Sequence, residues 1–342
     1  MALVASHADC NRARGPGRVL VTGADGFVGR ALCERLLAAG WSVTGAVRDR
    51  TRSLPAGVAR WPGGPIETAD WASVLPGHDA LVHLAARVPG ARERGDAATA
   101  YRRTNVEATA RLARAALHAG IARFVFTSTI KVHGDHPAAG PLREDAAVAP
   151  SDAYGRSKRE AEVALRVLAA GSPMQVTVVR PCLVYGAGVR GNLLRLIGWV
   201  DRGAVLPFAG LDNRRSLVSV WSLADLLARC AEDPRAAGAT YVAADDPPVS
   251  TPELLHAIAS ALGVRPRLVR VPAAVWSIGA RLPRLGDAVS RLVGSLEVDA
   301  SLARSQLGWQ PAVPLADGLA RTVRWYRARS PHRVAAKVAE SA

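Results

Sequence analysis

Tyr154 and Lys158 stand four residues apart in the run Tyr-Gly-Arg-Ser-Lys, so on a helix they share one face, one turn apart. An unperturbed phenol, with a pKa of about 10, is a poor acid or base near neutrality, but an adjacent cation favours the phenolate and draws that value down. The pair can therefore hand a proton to a carbonyl or take one from a hydroxyl. Composition marks the lysine out, because among 44 Lys and Arg residues only Lys131, Lys158 and Lys337 are lysines. An ammonium is a compact donor whose pKa can be tuned, and a guanidinium is not. Taken by itself, Tyr-x-x-x-Lys also fits a chance spacing on a solvated helix.

The elements that must hold this pair follow from hydrophobic periodicity. Arg18–Thr22 is a short apolar run, Gly23 to Gly29 a glycine turn, and Ala31–Ala39 a helix; Ser42–Val47 closes a first β-α-β unit. Ala80–Leu84, Arg123–Thr127 and Gln175–Arg180 are further buried-strand candidates, and Tyr154 opens a helix running to about Ala170. This alternation implies a Rossmann-type, doubly wound parallel sheet over residues 18–182. Residues 183–329 mix loops, short strands and helices, one of them opened by the capping box Ser250-Thr-Pro-Glu253, and are expected to be mainly a smaller C-terminal substrate-binding lobe. Residues 1–17 are expected to form a loose leader and 330–342 a flexible tail.

Bulk properties exclude several classes. No apolar run approaches the roughly 20 residues that span a bilayer, and the leader lacks the apolar core of a signal peptide, so the expected compartment is the cytoplasm. The net charge of +15 comes from arginines spread along the whole chain, without a dense basic block, so no nucleic-acid partner is expected. Cys10, Cys33, Cys182 and Cys230 are scattered without metal-like spacing, which argues against a zinc site and a disulfide framework. Residues 271–286 combine apolar and basic side chains in the manner of an interfacial helix, but Pro272 and Pro283 limit its length. A part of the substrate lobe, or a peripheral contact with a membrane or partner, would both fit.

Gly23-x-x-Gly26-x-x-Gly29, between a strand and a helix, is a dinucleotide turn: its glycines let the backbone approach a pyrophosphate that the helix amino end attracts. At the end of the second strand a carboxylate holds ribose hydroxyls, whereas an arginine accepts the extra phosphate of NADP. The chain reads Val47-Arg48-Asp49-Arg50 there. Arg48 favours NADP, and Asp49 leaves NAD open.

Together, Thr22-Gly-Ala-Asp25-Gly-Phe27-Val28-Gly29, His83-Leu84-Ala85-Ala86, Asn105, Phe124-Val-Phe-Thr-Ser128-Thr129, Tyr154-x-x-x-Lys158 and Arg180-Pro181 resemble the extended short-chain dehydrogenase/reductases, the NAD-dependent epimerase/dehydratase group, over almost the whole chain. The resemblance implies that Tyr154 is the general acid/base, that Lys158 binds the nicotinamide ribose and lowers the phenol's pKa, and that Thr129 hydrogen-bonds the substrate oxygen. Gly23, Asp25, Gly26, Phe27, Val28, Gly29, Arg48, Leu84, Ala85, Ala86, Ser128 and Pro181 would line the cofactor, with Asn105 structural beside it. Two departures stand out. Gly63-Gly64-Pro65-Ile66 replaces the acidic residue that often holds the adenine, and His133 occupies the place of an aromatic before the catalytic-loop glycine, where it is expected on a loop or at the substrate rim.

In sugar-nucleotide members, positions matching Asn192, with Leu193 after it, and Arg215 hold a diphosphate, a task suited to arginine's planar fork. More narrowly, Ser128-Thr-Ile-Lys-Val-His-Gly134, Asn213–Val218, Gly294–Asp299 and Leu307–Pro311 look like a bacterial surface-polysaccharide subgroup. Its members include 4-ketoreductases that convert UDP-2-acetamido-2,6-dideoxyhexos-4-ulose to UDP-N-acetylquinovosamine or an epimer. In an extended segment Lys131 would face the same side as Thr129 and contact the sugar or its diphosphate. The expectation is thus an NAD(P)-dependent oxidoreductase acting at C4 of a UDP-sugar, favouring ketone reduction in O-antigen-type biosynthesis and working as a homodimer paired through two helices per subunit. A UDP-hexose 4-epimerase and a non-enzymatic NADP-binding redox sensor are the alternatives, the latter at odds with retention of Thr129, Tyr154 and Lys158.

Overall fold

The computed structural model describes residues 17–89, 96–134, 140–272, 276 and 293–329. The leader before Gly17, the tail from residue 330 and most of residues 271–286 lie outside this set. Its first half runs β1 (Arg18–Thr22), α1 (Phe27–Ala38), β2 (Ser42–Ala46), β3 (Ala59–Trp61), β4 (Ala80–His83), α2 (Ala97–Tyr101), a π-helical turn (Arg102–Glu107), α3 (Ala108–His118), β5 (Arg123–Thr127), α4 (Ala153–Ala169) and β6 (Gln175–Pro181). The second half runs β7 (Leu183–Tyr185), α5 (Asn192–Asp201), β8 (Val205–Leu206), β9 (Leu217–Ser219), α6 (Val220–Glu232), β10 (Thr240–Ala243), α7 (Thr251–Leu262), β11 (Arg267–Leu268), α8 (Ser301–Leu307) and α9 (Leu315–Ala328).

Apolar residues follow one another without interruption in β1 and β4 because helices cover both faces of these strands. Val19, Val21, Val82 and Val125 pack against Leu32 and Leu36 of α1 and Leu223 and Leu227 of α6. Leu20, Leu81, Phe124 and Phe126 pack the other way, onto Leu112 and Ala116 of α3 and Ala161 and Leu165 of α4. The seven strands are parallel in the order β10-β6-β5-β4-β1-β2-β3. Strand order reverses between β1 and β4, which opens a crevice outside their carboxyl ends.

Beyond residue 182 a third core joins Tyr185, Leu193, Ile197, Leu255, Ile258, Leu319 and Val323, drawn from β7, α5, α7 and α9. The parallel pairs β7–β9 and β8–β11 complete this lobe. Two elements within the same stretch go back to the main sheet: α6 packs on α1, and β10 extends the sheet beside β6.

Candidate active site

The dinucleotide turn is built from missing side chains. Gly23 has a φ of 68°, and a Cβ there would lie 3.1 Å from the Ala85 backbone nitrogen. At Gly29 a Cβ would fall 2.1 Å from the Gly23 carbonyl oxygen, a contact that no side chain tolerates. Helix α1 begins at Gly26 without a side-chain cap and without an acidic residue in its first turn. By contrast α4, α6 and α7 are capped by Asp152, Ser219 and Ser250. Free N–H groups and the positive end of the α1 dipole therefore face the crevice, which suits a pyrophosphate.

The opposite wall is tied down by Thr22, whose hydroxyl accepts from the Leu84 and Ala85 amides at 3.2 Å each. His83 bridges Thr22 (2.7 Å) and Thr109 (2.9 Å), and burial pushes its imidazole down to about 3, so the ring is neutral. Asn105 lies inside the π-helical turn, a widened geometry that recurs at functional sites. Its side chain holds the backbone of Arg87 from both sides, accepting from the amide (2.8 Å) and donating to the carbonyl (3.0 Å), and also donates to Ser157 (2.9 Å).

At the adenosine end Arg48 is exposed, while Asp49 accepts from the Thr51 amide (2.9 Å) and hydroxyl (2.7 Å). Asp25 pairs with Arg52 at 3.2 Å. Near the position of the missing adenine carboxylate, Glu67 accepts from Thr104 at 2.5 Å.

The reacting end lies beyond β5. Tyr154 and Lys158 occupy the first turns of α4, and Lys158 is buried with its Nζ 4.1 Å from the centre of the Phe126 ring. Burial draws this ammonium down to about 7, with the Glu162 carboxylate one turn further on opposing the shift. Tyr154 packs edge-on against Tyr101 of α2, 5.8 Å between centres, and Arg87, on the loop that follows β4, lies 5.9 Å from the centre of the Tyr101 ring. Burial, then the Asp152 charge, push the Tyr154 phenol up, so in the protein alone the phenol stays protonated and the lowering expected from Lys158 is not seen. Ser128 donates its amide to the Val179 carbonyl (2.7 Å).

Thr129, Tyr154, Lys158 and Ser128 thus gather at the carboxyl ends of β5 and β6, beside the strand ends that carry Gly23 and Ala85. Lys131 departs from expectation. The segment after Thr129 is not extended: the Thr129 hydroxyl accepts from the Lys131 amide (3.3 Å) and caps a 3-10 turn over Ile130–His133. The Lys131 ammonium pairs with Asp152, the cap of α4. Of the two places expected for His133, the structure puts it in this loop, 5% exposed. Pro181 ends β6, buried.

In the second lobe Asn192 opens α5 after Gly191, and Leu193 is buried in that lobe's core. Arg215 sits between bridges to Val249 and Leu296 and donates to the Gly294 carbonyl at 2.7 Å. Sequence inspection passed over Arg87, Tyr101, Glu144 and Glu162. Only the alternation of Phe124 and Phe126 signalled a ring for Lys158 to rest on. Among the described residues, no cluster has the makings of a metal site, and no helix is long and apolar enough to cross a membrane.

Comparison with known proteins places this geometry. Residues 19–244 match the model of the NAD dependent epimerase/dehydratase family. A UDP-glucose 4-epimerase of Vibrio cholerae is 36% identical over 90% of this chain and 94% of its own length. A second UDP-glucose 4-epimerase, from Mycolicibacterium smegmatis, is 32% identical over 92% of this chain and 99% of its own. Among solved structures, MoeE5 in complex with UDP-glucose and NAD superposes with a TM-score of 0.75 at 30% identity, covering 92% of this chain and 99% of that one. A chain with this cradle, this sheet and these relatives belongs to the NAD-dependent epimerase/dehydratase family.

Proposed function

We propose that the protein catalyses oxidoreduction at C4 of a UDP-sugar, and that it acts as a UDP-hexose 4-epimerase. The observation that carries the reading is a phenol and a buried ammonium on one helix, at the carboxyl end of β5, next to an uncapped helix terminus between β1 and β4. Full-length relatives named UDP-glucose 4-epimerase support the epimerase outcome. Gly23, Gly26 and Gly29 would hold the pyrophosphate of a nicotinamide cofactor, Leu84, Ala85 and Ala86 would line the passage beside it, and Lys158 would meet its ribose. The bound cofactor would supply the hydride acceptor and donor for C4. Thr129 hydrogen-bonds the C4 oxygen while Tyr154 takes the hydroxyl proton; once the 4-keto sugar has turned its opposite face toward the hydride donor, Tyr154 returns the proton, so C4 is recovered inverted. Asn192 and Arg215 grip the diphosphate.

A second reading, reduction of a 4-keto UDP-sugar in surface-polysaccharide synthesis, is favoured by two observations. Tyr154 is held protonated, as a donor to a ketone requires. Arg48 is exposed while Asp49 is occupied by Thr51, an arrangement that suits NADP, the usual consumable reductant. Exposure of Val163 (45%) and Val167 (69%) along α4 supports pairing with a second copy through that helix.

One preparation separates the two readings. The epimerase releases NAD on denaturation and converts UDP-glucose to UDP-galactose without added cofactor, followed by NMR. The reductase comes without bound cofactor and consumes one NADPH or NADH per UDP-2-acetamido-2,6-dideoxyhexos-4-ulose. Activity in neither assay would remove the UDP-sugar reading. Arg48→Ser is expected to shift the ratio of NADP to NAD dissociation constants about 10-fold toward NAD, measured by nucleotide fluorescence.

A further inference from the structure

Beneath the turn that carries Thr129 lies a buried group of charges that no step at C4 uses. Arg180, 2% exposed at the end of β6, donates from Nε (3.0 Å) and Nη2 (2.7 Å) to the two carboxylate oxygens of Glu162, which is fully buried. Its remaining Nη1 reaches the Glu144 carbonyl and His133 Nε2, both at 3.0 Å. A guanidinium only donates, so His133 Nε2 is an unprotonated acceptor. Nδ1 then carries the ring's proton and donates to the Ala147 carbonyl at 3.0 Å. Both nitrogens are used in one tautomer of the neutral ring.

The placement matters because His133 closes the turn that Thr129 opens. Past it Gly134 adopts a φ of 92°, and a Cβ there would stand 2.8 Å from the Ala149 carbonyl. The Ala149 amide in turn donates to Val132 at 3.0 Å. Arg180 therefore ties the far end of the Thr129 turn to Glu162, which lies one turn beyond Lys158 on α4.

We propose that His133 is a positioning residue: as acceptor from Arg180 and donor to Ala147 it fixes the Thr129 hydroxyl relative to Tyr154 and Lys158, and its protonation releases the turn. The proposal rests on the role given to Thr129 in turnover of a UDP-sugar. A second proton on the ring would set a cation against Arg180 and remove the acceptor. The groups facing the ring are Arg180 from β6, Glu162 from α4 behind it, and the Ala147 carbonyl. Burial, with Arg180, pulls the imidazole below its ordinary value against the Ala147 bond and Glu162. Turnover accordingly has an acid limb below the usual histidine range.

The test compares His133→Gln, which retains a neutral acceptor that cannot titrate, with His133→Phe, which fills the space without one. At pH 8, His133→Phe is expected to lower kcat about 10-fold while KM for the UDP-sugar and the dissociation constant for NADH stay within about twofold. His133→Gln should restore kcat to within about threefold of the parent and lose the acid limb. Equal kcat in the two variants, or an acid limb that persists in His133→Gln, overturns the proposal. Hydrogen exchange of residues 129–134 at pH 5 and pH 8, corrected for intrinsic rates, needs no substrate. Acid-accelerated exchange in the parent but not in His133→Gln supports the release of the turn even where no UDP-sugar is turned over; identical exchange in both overturns it.

Discussion

The two ends of the crevice are made in opposite ways. The cofactor cradle is backbone: Gly23, Gly26 and Gly29 work by lacking side chains, and α1 offers bare N–H groups. The reacting end is side chains whose charge states depend on what buries them, with Lys158 on a phenyl ring, Tyr154 beside Asp152 and Tyr101, and Glu162 behind both. A backbone cradle is indifferent to pH and intolerant of a methyl group. A buried titrating pair tolerates small changes of volume and responds to any change of charge.

Four substitutions sharpen or break this contrast. The largest effect is expected from Tyr154→Phe, which should lower kcat about 1,000-fold and leave the NADH dissociation constant unchanged. A loss of binding as well would mean that the phenol belongs to the cradle. Lys158→Met should lower turnover about 100-fold and yet raise the Tm at pH 7. The sign follows from a folded-state value of about 7 against the ordinary 10.5. The unfolded chain binds more protons between these values, so the parent's stability rises with pH from about 7 toward 10.5, and the methionine variant should lack that rise. A parallel pH dependence of Tm in both proteins would break this account. Gly29→Ala, with its Cβ driven into the Gly23 carbonyl, should weaken NADH binding at least about 10-fold and equally from pH 6 to 9. A pH-dependent loss would erase the distinction between the two ends. Smallest is Lys131→Met, expected to lower kcat about threefold by leaving Asp152 uncompensated two residues before Tyr154, with KM unchanged. A large rise in KM would return Lys131 to the substrate.

The same contrast explains what the sequence made legible. The glycine turn, the β-α-β alternation and the Tyr154/Lys158 spacing are local, and a period or a gap of three or four residues carries them. The turn at Lys131 is not legible because Thr129, itself extended, uses its hydroxyl to start it, and a threonine followed by a glycine five residues later is a weak signal. The partnership of His133, Glu162 and Arg180 spans 47 and 18 residues and exists only once β6 and α4 pack together. Burial of Lys158 depends likewise on the face that β5 presents to α4.

The path of the chain after β6 has a mechanical consequence. It leaves the sheet to build the second lobe, comes back to lay α6 across α1 and to add β10 to the edge, and leaves again for α7. A piece ending at residue 182 would bare the flank of β6 and strip the cover from α1, so it would lose its fold. For the same reason the second lobe does not swing on a single strap. Several crossings moor it to the sheet, so a displacement of the second lobe against the sheet would have to be shared among them as small sliding movements.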